Sequence, residues 1–198
     1  MNSATIMRPE RLQGLDGLAG CLTVGSGVFT PKGAVFAEDL RLGDKVLTKD
    51  FGYQPLTHVT MFTASLGSTG GGPIIRINKD CLRDDAPSRD SYFLARQLVA
   101  LRHAMFEPLF GTKEVLACAG DLTHLAGIDA IADVPDVTLI ELGFEQPQLM
   151  LTDGMTVETN RDQGISCRPV LSAREAQLAC GFLAPRFSTK QFDGAALH

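Results

Sequence analysis

The sequence predicts a mostly β domain followed by a short C-terminal helix. Three features carry that reading. From Cys21 onward the apolar residues come in short runs separated by Gly, Pro and Asp, similar runs continue to Thr159, and Ser172-Ala173-Arg174-Glu175 has the form of a helix start. Strands of about four to six residues bounded by turn residues at such spacing belong to barrels and sandwiches. The boundaries follow: a leader over 1–20, a β domain over 21–160, and a tail over 161–198 with a helix at about 172–184.

In chain order, Val28-Phe29 is closed by Pro31-Lys32-Gly33, Val35-Phe36 leads to Leu40 and the turn Leu42-Gly43-Asp44, and Lys45–Thr48 ends at Lys49–Gly52. This spacing leaves no room for helices. The leader is polar and punctuated by Gly14, Gly17 and Gly20, which suits extended chain. Gly67–Gly72 is too glycine-rich for regular structure, and it lacks the Lys and Ser/Thr that would follow in a phosphate-binding loop. It reads as a hairpin loop.

Residues 73–77 read as a strand and Pro87–Asp90 as a turn. Residues 88–106 stay open: Leu94, Ala95, Gln97, Leu98, Ala100, Leu101 and Ala104 favour a helix capped at Ser88, while the surrounding pattern calls for paired strands. Val115–Ala119 is a strand followed by a helical turn with Asp121 placed to cap it. Val137–Leu142, Gln148–Leu151 and Met155–Glu158 are further strands, the last two joined by the Thr152-Asp153-Gly154 turn. In the tail, Ser172 and Glu175 form a capping box, with Ala176, Ala179, Cys180 and Leu183 on one face until Pro185.

The chain has 198 residues, of which 44% are hydrophobic and 21% charged, and its net charge is −5. That composition fits one folded domain. An acidic chain offers no basic face for nucleic acid, and no apolar run approaches the ~18 residues needed to span a bilayer. The first twenty residues lack the continuous apolar stretch of a secretory signal. Five cysteines, an odd number without a Cys-x-x-Cys pair, suit free thiols in a reducing compartment, with the cytoplasm as default and a non-Sec export route left open. Cys118 and Cys180 lie in apolar surroundings and read as small core residues.

Few residues suggest chemistry. Gly25-Ser26-Gly27 lacks the spacing of a nucleophile elbow. His58, His103, His124 and His198 are scattered, so neither metal nor cofactor is expected.

Cys21 is different because of its surroundings. Gly17–Gly33, then Ala37-Glu38-Asp39-Leu40 and Leu42-Gly43-Asp44-Lys45-Val46-Leu47-Thr48, resembles the opening of the hedgehog/intein, or Hint, family in its bacterial branch. The similarity continues through Gln54-Pro55-Leu56, 73–77, Pro87–Asp90, Glu114–Leu122, Asp153-Gly154-Met155 and Val157-Glu158-Thr159, spanning roughly Gly17 to Leu183. The resemblance implies a compact, all-β Hint fold and autoprocessing chemistry: Cys21 attacks the carbonyl of Gly20 and turns that peptide bond into a thioester. The substrate would be the chain's own leader. No external partner or oligomeric state is indicated.

The family's helpers are missing at the matching positions. Where relatives carry Ser or Thr followed three residues later by His, this chain has Leu94 and Gln97, and Pro147 stands where a second His is expected. Glu158 and Thr159 occupy the place of the His-Asn pair with which splicing inteins finish, and Asn160 falls one residue late. Gln cannot titrate near neutral pH, and loss of a general acid costs about 10²–10⁴ in rate. Rescue by His103 or His124 would require a register shift that strand alternation disfavours. The resemblance therefore carries two expectations: a self-cleaving domain with reduced or lost activity at Gly20–Cys21, or a Hint-fold module that binds or assembles without catalysis. A small-molecule hydrolase rests on nothing beyond isolated Ser and Cys.

Overall fold

The computed structural model describes residues 20–65, 73–83, 85–132, 134, 136–159 and 166–183. The leader before Gly20, the Gly67–Gly72 loop and Pro185 lie outside the described residues. The first part of the domain forms β1 (Cys21–Thr23), β2 (Gly27–Thr30), β3 (Gly33–Phe36), β4 (Lys45–Thr48), β5 (Gly52–Pro55) and β6 (His58–Ser65). Next come β7 (Ile74–Ile77), β8 (Ser91–Leu94), β9 (Leu98–Arg102), α1 (Phe106–Phe110) and β10 (Glu114–Cys118). The remainder is β11 (Ile128–Ile131), β12 (Asp136–Gly143), β13 (Gln148–Thr152), β14 (Met155–Thr159) and α2 (Ala173–Leu183).

Three antiparallel sheets result. One has the order β1-β12-β6, a second β11-β7-β8, and the largest runs β10-β9-β14-β13-β2-β3, with β4 pairing β13 and β5. Turn chemistry sets the hairpins. Between β13 and β14, Asp153 (φ 46°) and Gly154 (φ 81°) both adopt the left-handed conformation of a two-residue turn. A Cβ at Gly154 would lie 2.2 Å from the Asp85 carbonyl oxygen, so both space and backbone angle require glycine there.

The open stretch 88–106 is strand, not helix. Leu98–Arg102 pairs with Glu114–Cys118 and Ser91–Leu94 with Ile74–Ile77, so cross-strand partners override local helix propensity. Ser88 caps nothing: its N–H donates to the Asp153 carbonyl at 2.7 Å. A single 3₁₀ turn at Ala37–Asp39 does find room among the early strands. In the 3₁₀ turn at Ala119–Leu122, Cys118 holds the cap position without a side-chain capping hydrogen bond, and Asp121 lies inside the turn. Cys118 is half-buried and packs against the small apolar cluster of Leu98, Leu116 and Leu149, whereas Cys180 is buried in the main core.

The main core fills the space between the sheets. It includes Val28, Val46, Ile75, Phe93, Phe106 and Val157. Phe93 and Phe106 are fully buried, each worth about 1.5–3 kcal/mol relative to exposure. The tail helix closes one side through Ala176, Ala179 and Cys180, with Leu183 packed against them. Its capping box forms in both directions: Ser172 N–H donates to Glu175 Oε2 at 2.8 Å, and Glu175 N–H to Ser172 Oγ at 3.4 Å.

Candidate active site around Cys21

Cys21 opens β1, which pairs with β12 so that Cys21 lies opposite Glu141 and Leu22 opposite Ile140. Gly20 precedes it with φ 97°, a backbone conformation that favours glycine. The Cys21 side chain is 1% exposed. It belongs to a small apolar cluster with Phe62, Ala64, Ile74, Leu94 and Leu139, separate from the main core. Burial, reinforced by the Glu141 carboxylate, pushes its thiol from 9.0 up to about 12. At pH 7 roughly one such thiol in 10⁵ would be ionised, against about one per cent for a cysteine at 9.0. The nucleophilic form is almost absent.

Leu94 is brought to Cys21 as the family pattern implies, but it brings a hydrocarbon. β8 ends there, and the Gln97 N–H closes a turn on the Leu94 carbonyl at 2.9 Å. Gln97 is 1% exposed and turned toward β14: Nε2 donates to the Glu158 carbonyl at 2.8 Å and to the Leu98 carbonyl at 3.2 Å. Both amide hydrogens are thereby engaged. Among the described residues, no side chain hydrogen-bonds to Gly20 or Cys21.

The remaining positions make contacts away from Cys21. Pro147 precedes β13 and has no N–H to donate. The Glu158 carboxylate is buried at the end of β14 and accepts the Cys167 N–H at 2.6 Å through Oε1. Thr159 donates its hydroxyl to the Gln148 carbonyl at 3.3 Å. His103 does not substitute; it lies beyond β9, against Phe106 and Phe182. His58 on β6 approaches Glu141 at 3.3 Å and Thr60 at 2.9 Å.

The motif residues that led to Cys21 also have structural work. Glu38 accepts the Gly25 N–H on both carboxylate oxygens at 3.1 and 3.0 Å, and Asp44 accepts the Arg41 N–H at 2.7 Å. Asp153, which the sequence marked only as a turn, is a junction. Its carboxylate accepts from Gly27 N–H at 3.0 Å, Arg89 Nε at 2.6 Å and Ser91 Oγ at 3.4 Å. Arg89 also donates to the Gly25 carbonyl and lies 5.3 Å from the Phe36 ring centre. These bonds hold β2 and β8 to the β13–β14 turn, close behind the Cys21 strand. The acidic residue in an Asp-Gly pair was the available signal, and turn preference alone accounted for it.

No group of three or more His, Cys, Asp or Glu among the described residues could hold a metal ion. Among them, no helix is long and apolar enough to cross a membrane.

A short β1 thus begins at a buried cysteine in a domain of three antiparallel sheets. The family model for the Hint domain matches residues 20–164, and the chain belongs to that family. No curated protein sequence matches it. Similar solved structures include the Msm DnaB1 intein splicing domain bound with zinc (15% identity, 70% of this chain, 99% of that chain, TM-score 0.43). Others are the MchDnaB-1 intein (13%, 70%, 99%, 0.44) and the gp41-1 intein (13%, 71%, 99%, 0.42).

Proposed function

We propose that this Hint domain has reduced or lost autoprocessing at Gly20–Cys21 and is retained for its fold, as a binding or assembly module. The observation that carries the reading is the enclosure of the Cys21 thiol by Leu94, Phe62 and Leu139. Thioester formation requires the sulfur to bond to the Gly20 carbonyl carbon while the Gly20–Cys21 C–N bond breaks and its nitrogen gains a proton. The sulfur is held in its protonated form, and Gln97 spends its amide hydrogens on Glu158 and Leu98. The scarcity of thiolate, multiplied by the loss of a general acid, lowers the rate by about 10⁵ or more relative to a competent site.

The test is intact-mass analysis of the purified chain during prolonged incubation with and without hydroxylamine, which cleaves thioesters. A single species at 21.2 kDa is expected throughout. Release of residues 1–20, abolished by Cys21→Ala, would restore the catalytic reading.

A further inference from the structure

A cavity of about 450 Å³, none of whose lining residues belongs to the Cys21 cluster, lies between β9, the Leu82–Ala86 turn, the start of β14 and the end of α2. Its size falls within the ~300–1,000 Å³ of small-molecule sites. The apolar part of its wall comes from Leu82, Leu101, Met155, Phe182 and Leu183. Lys49, Arg83, Arg102, His103 and Thr156 supply the polar part, and Glu114 is the acidic residue among them.

The charges in this wall do not cancel. Glu114 is spent on Lys49 through Oε1 and on Arg168 Nε at 3.0 Å through Oε2, and Arg168 also holds Asp50 at 2.6 Å. That network is neutral by itself, with two cations and two carboxylates. Arg83 is bonded through Nη2 to a neutral acceptor, the Gly154 carbonyl, at 3.0 Å. Arg102 has no ion pair among the described residues, although Glu114 is its cross-strand partner. The His103 Nδ1 accepts the Met105 N–H at 3.2 Å, which places the ring proton of the neutral form on Nε2 and makes that nitrogen a donor. His103 also stacks on Phe182, with ring centres 6.2 Å apart. A chain of net charge −5 thus places two arginines without carboxylate partners among the described residues, and an imidazole donor, around a cavity whose wall is part polar and part apolar.

We propose that this cavity binds a small amphipathic carboxylate. The anionic head pairs with Arg102 and Arg83, and the aliphatic body lies on Leu82, Met155, Phe182 and Leu183. Guanidinium groups match carboxylate geometry, and the hydrocarbon lining selects against small inorganic anions. The site does not depend on the state of Cys21, so it stands or falls separately from the loss of autoprocessing.

The test uses the full chain, octanoate as probe, and two controls: octanol, which has the body without the charge, and acetate, which has the charge without the body. Titration is followed by ¹⁵N–¹H NMR. Octanoate is expected to saturate with shifts concentrated at 100–103 and 182–183, to bind at least about fivefold more tightly than either control, and to weaken in 0.5 M salt, roughly as a partly exposed ion pair would. Arg102→Gln should weaken octanoate about fivefold without changing the thermal midpoint, because Arg102 is exposed. Non-saturable octanoate binding, equal affinity for octanol, or an unaltered Arg102→Gln titration would each overturn the proposal.

Discussion

Cys21 and Asp153 are both nearly buried, at 1% and 6% exposure, and lie on neighbouring parts of the same scaffold, yet their surroundings are opposite. Asp153 meets a backbone N–H, a guanidinium and a hydroxyl. Cys21 meets hydrocarbon, with the Glu141 carboxylate as the charge that acts on it. The domain can bury an ionisable group and supply donors to it, as it does at Asp153. It makes no such provision at the cysteine, and the proposed loss of autoprocessing rests on that contrast.

Removing the junction should have the largest effect. Asp153→Ala strips the partner from Arg89, Gly27 and Ser91 and should cost about 3–5 kcal/mol in urea unfolding. Burial outweighs those donors and raises the Asp153 carboxyl pKa above its ordinary 3.8. The protonated form is thus favoured by folding, and this group's contribution is full below pH 3.8 and lost as pH rises through the folded pKa. Asp153→Asn, which keeps the shape without the charge, should accordingly cost less than Asp153→Ala. An equal cost would show that the charge itself holds the junction.

The cysteine's own surroundings come next. Leu94→Ala opens a cavity beside Cys21 and should cost about 2–4 kcal/mol by the same measurement. A cost near zero would mean that the apolar cluster does not enclose the thiol. Cys21→Ala removes one small buried group and should cost about 1 kcal/mol at pH 7.

That substitution also has a signature in pH. With a folded pKa of about 12 against 9.0, the Cys21 contribution is full below pH 9 and is lost as pH rises from 9 toward 12. The alkaline decline in stability should therefore be shallower in Cys21→Ala than in the parent, by at most about 1.4 kcal/mol per pH unit. Parallel declines would place the thiol in a more polar setting.

Much of this fold was legible in the sequence because turns are written locally. The Asp-Gly pair at 153–154 and the Ser172–Glu175 box fix backbone geometry within a few residues, and strands such as Lys45–Thr48 and Gln148–Thr152 sit between such markers. The segment 88–106 was not legible, because its strand state depends on partners at 74–77 and 114–118. The strand His58–Ser65 was missed for a related reason: its pairing register comes entirely from Asp136–Gly143. The site divides similarly. Cys21 and the substituted positions Leu94, Gln97 and Pro147 could be named by resemblance, whereas the Asp153 carboxylate draws donors from 27, 89 and 91, which no local pattern connects. Likewise, the direction of the Gln97 side chain, toward Glu158, is a tertiary fact.

The most direct measurement is the ionisation of Cys21 in the folded chain, followed by the ¹³Cβ shift of cysteine-labelled protein with Cys21→Ala identifying the signal. A thiol that stays protonated to at least pH 10 is expected, consistent with a value of about 12. A midpoint below 9.0, the ordinary cysteine value, would contradict it and return Cys21 to the role of nucleophile.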